Sequence, residues 1–231
     1  MRIKILKGIA SANKSIGLTV VIDVFRAFST SCFLIESGAT AIIPVDSIEK
    51  AIKLKEENPT YVLCGERNGY KPEGFDYGNS PSEIKDIKLN NKIVVLATTL
   101  GTQGLMKAEK ANEIITGSFL NIDATVKYIL KKNPKDVSLL CTGTNSLDSD
   151  DEDYLCAKLI ESKLKNIPVD FNLLIKELIS NGYANYFFDS EIKSHPKEDF
   201  YLCTQLNKFN FILKAENNKS KQIRINKYEE N

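Results

Sequence analysis

Short runs of β-branched and aliphatic residues alternate along the chain with longer segments whose apolar positions recur every three or four residues. This pattern predicts strands over residues 20–24, 41–45, 61–64, 93–97, 113–116 and 137–141. It predicts helices over residues 27–37, 48–57, 103–110, 124–132 and 151–164. The strands are continuously apolar rather than alternating, which implies cover on both faces. A layered α/β/α architecture around a mainly parallel or mixed sheet follows. The tail differs: residues 209–214 and 222–227 flank the polar Asn217-Asn218-Lys219-Ser220 and read as an antiparallel hairpin. Ala39-Thr40-Ala41-Ile42-Ile43 recurs in outline as Ala111-Asn112-Glu113-Ile114-Ile115. That echo is compatible with two related lobes, about 1–90 and 91–231, inside one domain spanning 1–231.

One long connection breaks the alternation. Residues 65–81, Gly65-Glu66-Arg67 through Asn79-Ser80-Pro81, carry two tyrosines, a phenylalanine and turn glycines, a composition that suits a binding loop better than a disordered one.

The charge balance of 31 basic and 30 acidic residues provides no field for nucleic acid or an anionic membrane, so an anionic ligand needs a local cluster. No apolar run approaches the ~18–20 residues of a membrane span, and a soluble cytoplasmic protein is expected. Five cysteines, Cys32, Cys64, Cys141, Cys156 and Cys203, show no CxxC spacing and read as buried reduced thiols. Only four of the basic residues are arginine: Arg2, Arg26, Arg67 and Arg224. Where lysine serves almost everywhere, the interior arginines point to fork geometry, such as bidentate binding of phosphate, sulfonate or carboxylate.

The strand over 20–24 therefore carries particular weight, because it delivers Asp23 and, three residues on, Arg26 to a sheet edge. Thr98-Thr99-Leu100-Gly101-Thr102-Gln103-Gly104 opens a helix after a strand and offers hydroxyl and amide donors to an anion; threonine capping of that helix is the plainer alternative. Gly117-Ser118-Phe119-Leu120-Asn121 repeats the arrangement. The acidic run 148–153 suits a helix start, yet one or two of its carboxylates with Asp23 and Glu66 would also make an oxygen-rich Mg²⁺ site. Asp23 could equally cap the following helix, Arg26 serve a structural ion pair, and Glu66 and Arg67 neutralise each other.

Missing motifs confine the chemistry. The single histidine, His195 beside Pro196, reads as a surface residue, which excludes multi-histidine metal centres and histidine nucleophiles. No cysteine phosphate loop, Walker loop or GxGxxG turn is present, and Asp23-Val24-Phe25 fails the Asp-x-Asp pattern. A carboxylate, arginine and metal site remains.

Taken together, Asp23-Val24-Phe25-Arg26-Ala27, Gly65-Glu66-Arg67, Gly74-Phe75-Asp76-Tyr77-Gly78-Asn79-Ser80-Pro81, Thr99-Leu100-Gly101-Thr102 and Glu152-Asp153 resemble the motifs of the 2-phosphosulfolactate phosphatase (ComB-like) family. Leu100 stands where the family pattern has asparagine, and the run around 142–149 lacks the alanine-glycine start. The resemblance implies a hydrolase of coenzyme M biosynthesis that releases phosphate from 2-phosphosulfolactate with Mg²⁺ to leave sulfolactate. It implies Asp23 and Glu66 as metal ligands, joined by Glu152 or Asp153, with Asp153 an alternative base. Arg26 and Arg67 would clamp the small anionic substrate, with Asn79, Ser80, Thr99, Gly101, Thr102 and Ser118 as donors. Direct attack by metal-activated water and covalent attack by a carboxylate both stay open. Other readings are a phosphatase for another phosphorylated 2-hydroxy acid and a non-catalytic anion-binding protein. An edge strand in the tail is compatible with a homodimer.

Overall fold

The computed structural model describes residues 1–143, 151–217 and 222–229. The acidic residues 148–150, the rest of the 144–149 run and the hairpin tip 218–220 lie outside the described residues.

All ten described strands join one mixed sheet. In chain order they are β1 (Arg2–Lys7), β2 (Gly17–Ile22), β3 (Ala41–Val45), β4 (Val62–Gly65), β5 (Tyr77–Gly78), β6 (Ile93–Ala97), β7 (Ala111–Gly117), β8 (Asp136–Cys141), β9 (Ile212–Asn217) and β10 (Ile223–Tyr228). The helices are α1 (Ala27–Glu36), α2 (Ile48–Glu57), α3 (Pro81–Ile84), α4 (Gly101–Lys107), α5 (Ile122–Lys132), α6 (Glu152–Leu164), α7 (Phe171–Ser180) and α8 (Lys197–Cys203). Strand order across the sheet is β1-β8-β2-β7-β9-β10-β3-β6-β4-β5.

Every strand pair within β1-β8-β2-β7 and within β3-β6-β4-β5 is parallel, whereas the hairpin β9–β10 is antiparallel to β7 on one side and to β3 on the other. The tail hairpin is thus the central seam that welds two parallel halves, which corrects the expectation of an edge strand in the tail: both of its strands are paired on each side. The two copies of the internal echo flank that seam: Ile114 pairs with Ala215, Ala215 with Ile225, and Ile225 with Ile42. A boundary near residue 90 does not divide the strands, because one half takes β1, β2, β7 and β8 while the other takes β3 to β6.

The continuous apolar strands are explained by cover on both faces. In β2, Val20 and Ile22 enter one core with α5, α6 and α7, while Val21 between them enters a second core with α1 and α4. All three are fully buried, and each buried side chain of this size is worth about 1.5–3 kcal/mol. The second core also holds Ile42, Val94 and Leu96 of the other half, so α1 packs against both halves. A third, smaller core under α2 covers the opposite face of β3, β4 and β6.

Because the halves run in opposite directions, a flat sheet would put the C-terminal ends of β2 and β6 on opposite edges. A twist of roughly 20–25° per strand, accumulated over the steps between them, swings the two edges toward each other. That convergence creates the site.

Candidate active site

The C-terminal ends of β2, β4 and β6, the Asn79 corner after β5 and the turn before α8 enclose a cavity of ≈ 220 Å³. It is lined by Asp23, Phe25, Arg26, Glu66, Gly69, Asn79, Thr98, Thr99, Leu100 and His195.

Asp23 follows the last residue of β2 and is buried. Its Oδ1 accepts from the Ala27 amide at 2.9 Å, so the capping role is real, and Oδ2 lies 3.4 Å from Thr142 Oγ1. Burial first, and then the nearby Glu66, push its carboxyl up to about 6 against the pull of the Ala27 amide. Gly101 makes the approach of α4 feasible: a Cβ there would lie 2.6 Å from Asp23 Oδ2 and 2.8 Å from the Ala27 Cβ.

Glu66 follows β4, where Gly65 permits equally close packing, since a Cβ would meet the Ala97 carbonyl oxygen at 2.1 Å. Its carboxylate is held at both oxygens, by the Thr99 amide (2.6 Å) and the Gly69 amide (2.9 Å). The amide that the sequence offered to an external anion at the start of α4 is therefore taken by a carboxylate of the chain itself. Asn79 Oδ1 and Thr99 Oγ1 are buried without a hydrogen-bond partner. Such orphaned oxygens beside two carboxylates call for a ligand.

Arg26 is buried, preceded by a cis peptide bond from Phe25. Its Nη1 donates to Asp199 Oδ2 at 2.6 Å and its Nη2 to the Ser194 carbonyl at 2.9 Å.

Several expected residues sit elsewhere. Arg67 lines a separate depression with Ile48, Ile52, Tyr70 and Lys71. The physical reason is local: Arg67 and Tyr70 exchange backbone hydrogen bonds around Asn68 and Gly69, both at positive φ, and neighbouring residues of extended chain point to opposite sides. The expected Arg26–Arg67 pair is therefore not assembled in this cavity. Ser80 donates its hydroxyl to Asp199 at 2.7 Å. Thr102 turns its hydroxyl back to the Thr98 carbonyl, and Ser118 caps its own 3₁₀ turn in a reciprocal box with Asn121.

Asp153, on the first turn of α6, accepts three backbone amides, from Val24 (2.8 Å), Thr142 (3.1 Å) and Gly143 (2.8 Å), and so clasps the ends of β2 and β8 beneath the cavity. Burial and the neighbouring Glu152 and Asp23 raise its pKa well above the ordinary range, and burial with Asp151 pushes Glu152 up to about 8. Neither lines the cavity. Asp151 is the α6 cap, accepting from the Tyr154 amide at 3.0 Å. Among the described residues, no group of three or more histidine, cysteine, aspartate or glutamate side chains is placed to hold a metal ion.

His195 corrects the surface reading. Its ring lines the cavity, packs edge-on against Tyr186 and Phe187 with centroids 4.7 and 5.6 Å apart, and is held below its usual pKa, at about 4, by burial and the Arg26 charge. Asp199 was missed altogether. Both come from a tail whose signal is an aromatic cluster, Phe25 with Phe187 and Phe200, that no motif spacing marks.

The fold and site define a layered α/β protein with a carboxylate–guanidinium cavity at converging strand ends. Comparison with known proteins makes this particular: a family model described as 2-phosphosulpholactate phosphatase matches residues 5–218, and the chain belongs to that family. Over 213 residues it is 36% identical to a protein of Caldanaerobacter subterraneus subsp. tengcongensis named "Probable 2-phosphosulfolactate phosphatase", covering 86% of this chain and 87% of that one. A Clostridium perfringens protein of the same name is 34% identical over 221 residues, 89% of each chain. A Thermotoga maritima protein, again so named, is 47% identical over 146 residues, 63% of this chain and 62% of its own length.

Proposed function

We propose that the protein is a phosphoric monoester hydrolase that cleaves 2-phosphosulfolactate to sulfolactate and inorganic phosphate with Mg²⁺. The observation that carries this reading is the convergence of buried Asp23, Glu66 and Arg26 on one cavity, with family membership supplying the substrate class.

Electrostatics support the need for a cation. Asp23 and Glu66 face the cavity, while the Arg26 charge is matched by fully buried Asp199. A phosphorylated, sulfonated and carboxylated substrate would meet net negative walls. The donors present fit a hard divalent ion: two carboxylates and an unpartnered amide oxygen, all oxygen, the set Mg²⁺ takes when phosphate and water complete its shell. Asp23 and Glu66 would hold it, with Asn79 beside them. When bound, Mg²⁺ neutralises phosphate charge and lowers the pKa of water.

The residues of the chain do the positioning. Arg26 has five N–H donors, of which two are committed to Asp199 and the Ser194 carbonyl, and its remaining edge serves an anionic oxygen. In-line attack on phosphorus by water breaks the ester P–O bond and releases the 2-hydroxyl, a reaction that needs mainly alignment and charge neutralisation.

One observation favours a second reading. The cavity holds a single guanidinium and an apolar Leu100, so a phosphorylated 2-hydroxy acid without the sulfonate is the competing substrate. Phosphate release from 2-phosphosulfolactate, phospholactate and related esters, with Mg²⁺ and with chelator, separates these readings. Turnover of 2-phosphosulfolactate that chelator abolishes is expected. Failure of every ester to release phosphate would overturn the hydrolase reading, and a rate indifferent to chelator would remove Mg²⁺.

A further inference from the structure

The motifs that mark the site end with α6, yet Arg26 is gripped by residues far beyond it. Asp199, on the first turn of α8, is completely buried and uses both carboxylate oxygens. Oδ2 accepts from Arg26 Nη1 at 2.6 Å and from Ser80 Oγ at 2.7 Å, and Oδ1 accepts from the Ser82 amide at 2.8 Å. Five residues earlier, the Ser194 carbonyl takes Arg26 Nη2. One carboxylate therefore ties together the cavity arginine and the corner that carries Asn79, which directly precedes Ser80.

We infer that Asp199 is a positioning residue: it aims Arg26 and, through Ser80, Asn79 at the substrate. This rests on the reading that Arg26 receives an anionic group of a phosphorylated substrate. A free arginine side chain has many rotamers to lose on binding. Held at two nitrogens, it presents its remaining edge without that loss at the moment of binding. Asp199 also supplies the counter-charge without which a guanidinium exposed by only 3% would be expelled to water. Arg26 thus stays in place to meet a small anion, and the tail segment becomes part of the site through one ion pair rather than through contact with substrate.

A purely structural ion pair would predict lost stability and nothing specific to substrate. A double-mutant cycle over Asp199→Asn and Arg26→Gln separates the two, read by steady-state hydrolysis of 2-phosphosulfolactate and by calorimetric binding of inorganic phosphate. In the native background, Asp199→Asn should raise both KM and the phosphate Kd by about tenfold or more, with a smaller fall in kcat. In the Arg26→Gln background the same change should alter either constant by less than about twofold, because there is no guanidinium left to aim. Equal effects in both backgrounds would overturn the inference. Ser80→Ala removes one donor from the Asp199 carboxylate without touching Arg26, so the test survives a misfolded Asp199→Asn: a two- to threefold rise in phosphate Kd is expected, on the order of one weakened hydrogen bond, and an unchanged Kd counts against the role. Native protein that neither turns over the ester nor binds phosphate would overturn the functional reading and this inference together. Native turnover with an unaffected Asp199→Asn would overturn this inference alone.

Discussion

Burial of Asp23 is the residue-scale fact with the most consequences. Its carboxyl is pushed from the ordinary value of 3.8 up to about 6, so in the metal-free protein the folded state binds a proton more tightly than the unfolded chain. Its contribution to stability is then fully present below about pH 4, declines as pH rises toward 6 and stays lost above that. Asp23→Asn keeps an oxygen for the Ala27 amide and removes the charge. The variant should be more stable than the native protein at pH 8 by roughly 2–3 kcal/mol, and equal to it near pH 4. Urea titrations in chelator across that range check the sign, and a variant less stable at pH 8 would show that the charge is compensated in the apo site. At this scale short motifs at strand ends mark Asp23, Arg26, Glu66, Asn79 and Thr99, and the structure places all five around one cavity. Arg67 lines a separate depression, because adjacency in sequence does not say on which side of an extended segment a side chain falls. The cavity position of His195, which the sequence reads as a surface residue, and the role of Asp199, which no motif marks, depend on partners Tyr186, Ser80 and Arg26 that lie on other elements.

The elements of the two parallel halves are where the apolar periodicity puts them, with ends that shift by a few residues. β1, although Ile3 and Ile5 alternate with Arg2 and Lys4 as in a half-buried strand, and the helices α7 and α8 are not among the predicted elements, and the two-residue β5 and four-residue α3 are too short to leave a period. The hairpin over the tail was legible as a hairpin. Its place between β7 and β3 was not, because register across chain-distant strands depends on which faces remain to be covered. Ile225 sits at that seam, fully buried and paired with both Ala215 and Ile42. Ile225→Ala should therefore cost about 2–5 kcal/mol, seen as a lower urea midpoint. A loss under about 1 kcal/mol would mean that the seam bears little of the stability.

At the scale of the whole molecule, site and stability are linked through any ligand that binds only the folded form. Mg²⁺ at a hundred times its dissociation constant should add about 2.7 kcal/mol, raising the midpoint of thermal unfolding in native protein but not in Asp23→Asn. No shift in the native protein would argue against a resident cation at Asp23 and Glu66. Among the described residues, no helix is long and apolar enough to cross a membrane. By itself the sequence determined the layered α/β class, most strands and helices, the antiparallel tail and the strand-end carboxylates, since each follows from local periodicity or a short motif. Tertiary structure alone decided that the tail hairpin joins two opposed half-sheets, that their accumulated twist brings Asp23 to Glu66, and that Asp199 rather than Arg67 partners Arg26. Those outcomes depend on contacts between residues distant in the chain, whose geometry is set by packing and twist and leaves no local pattern to read.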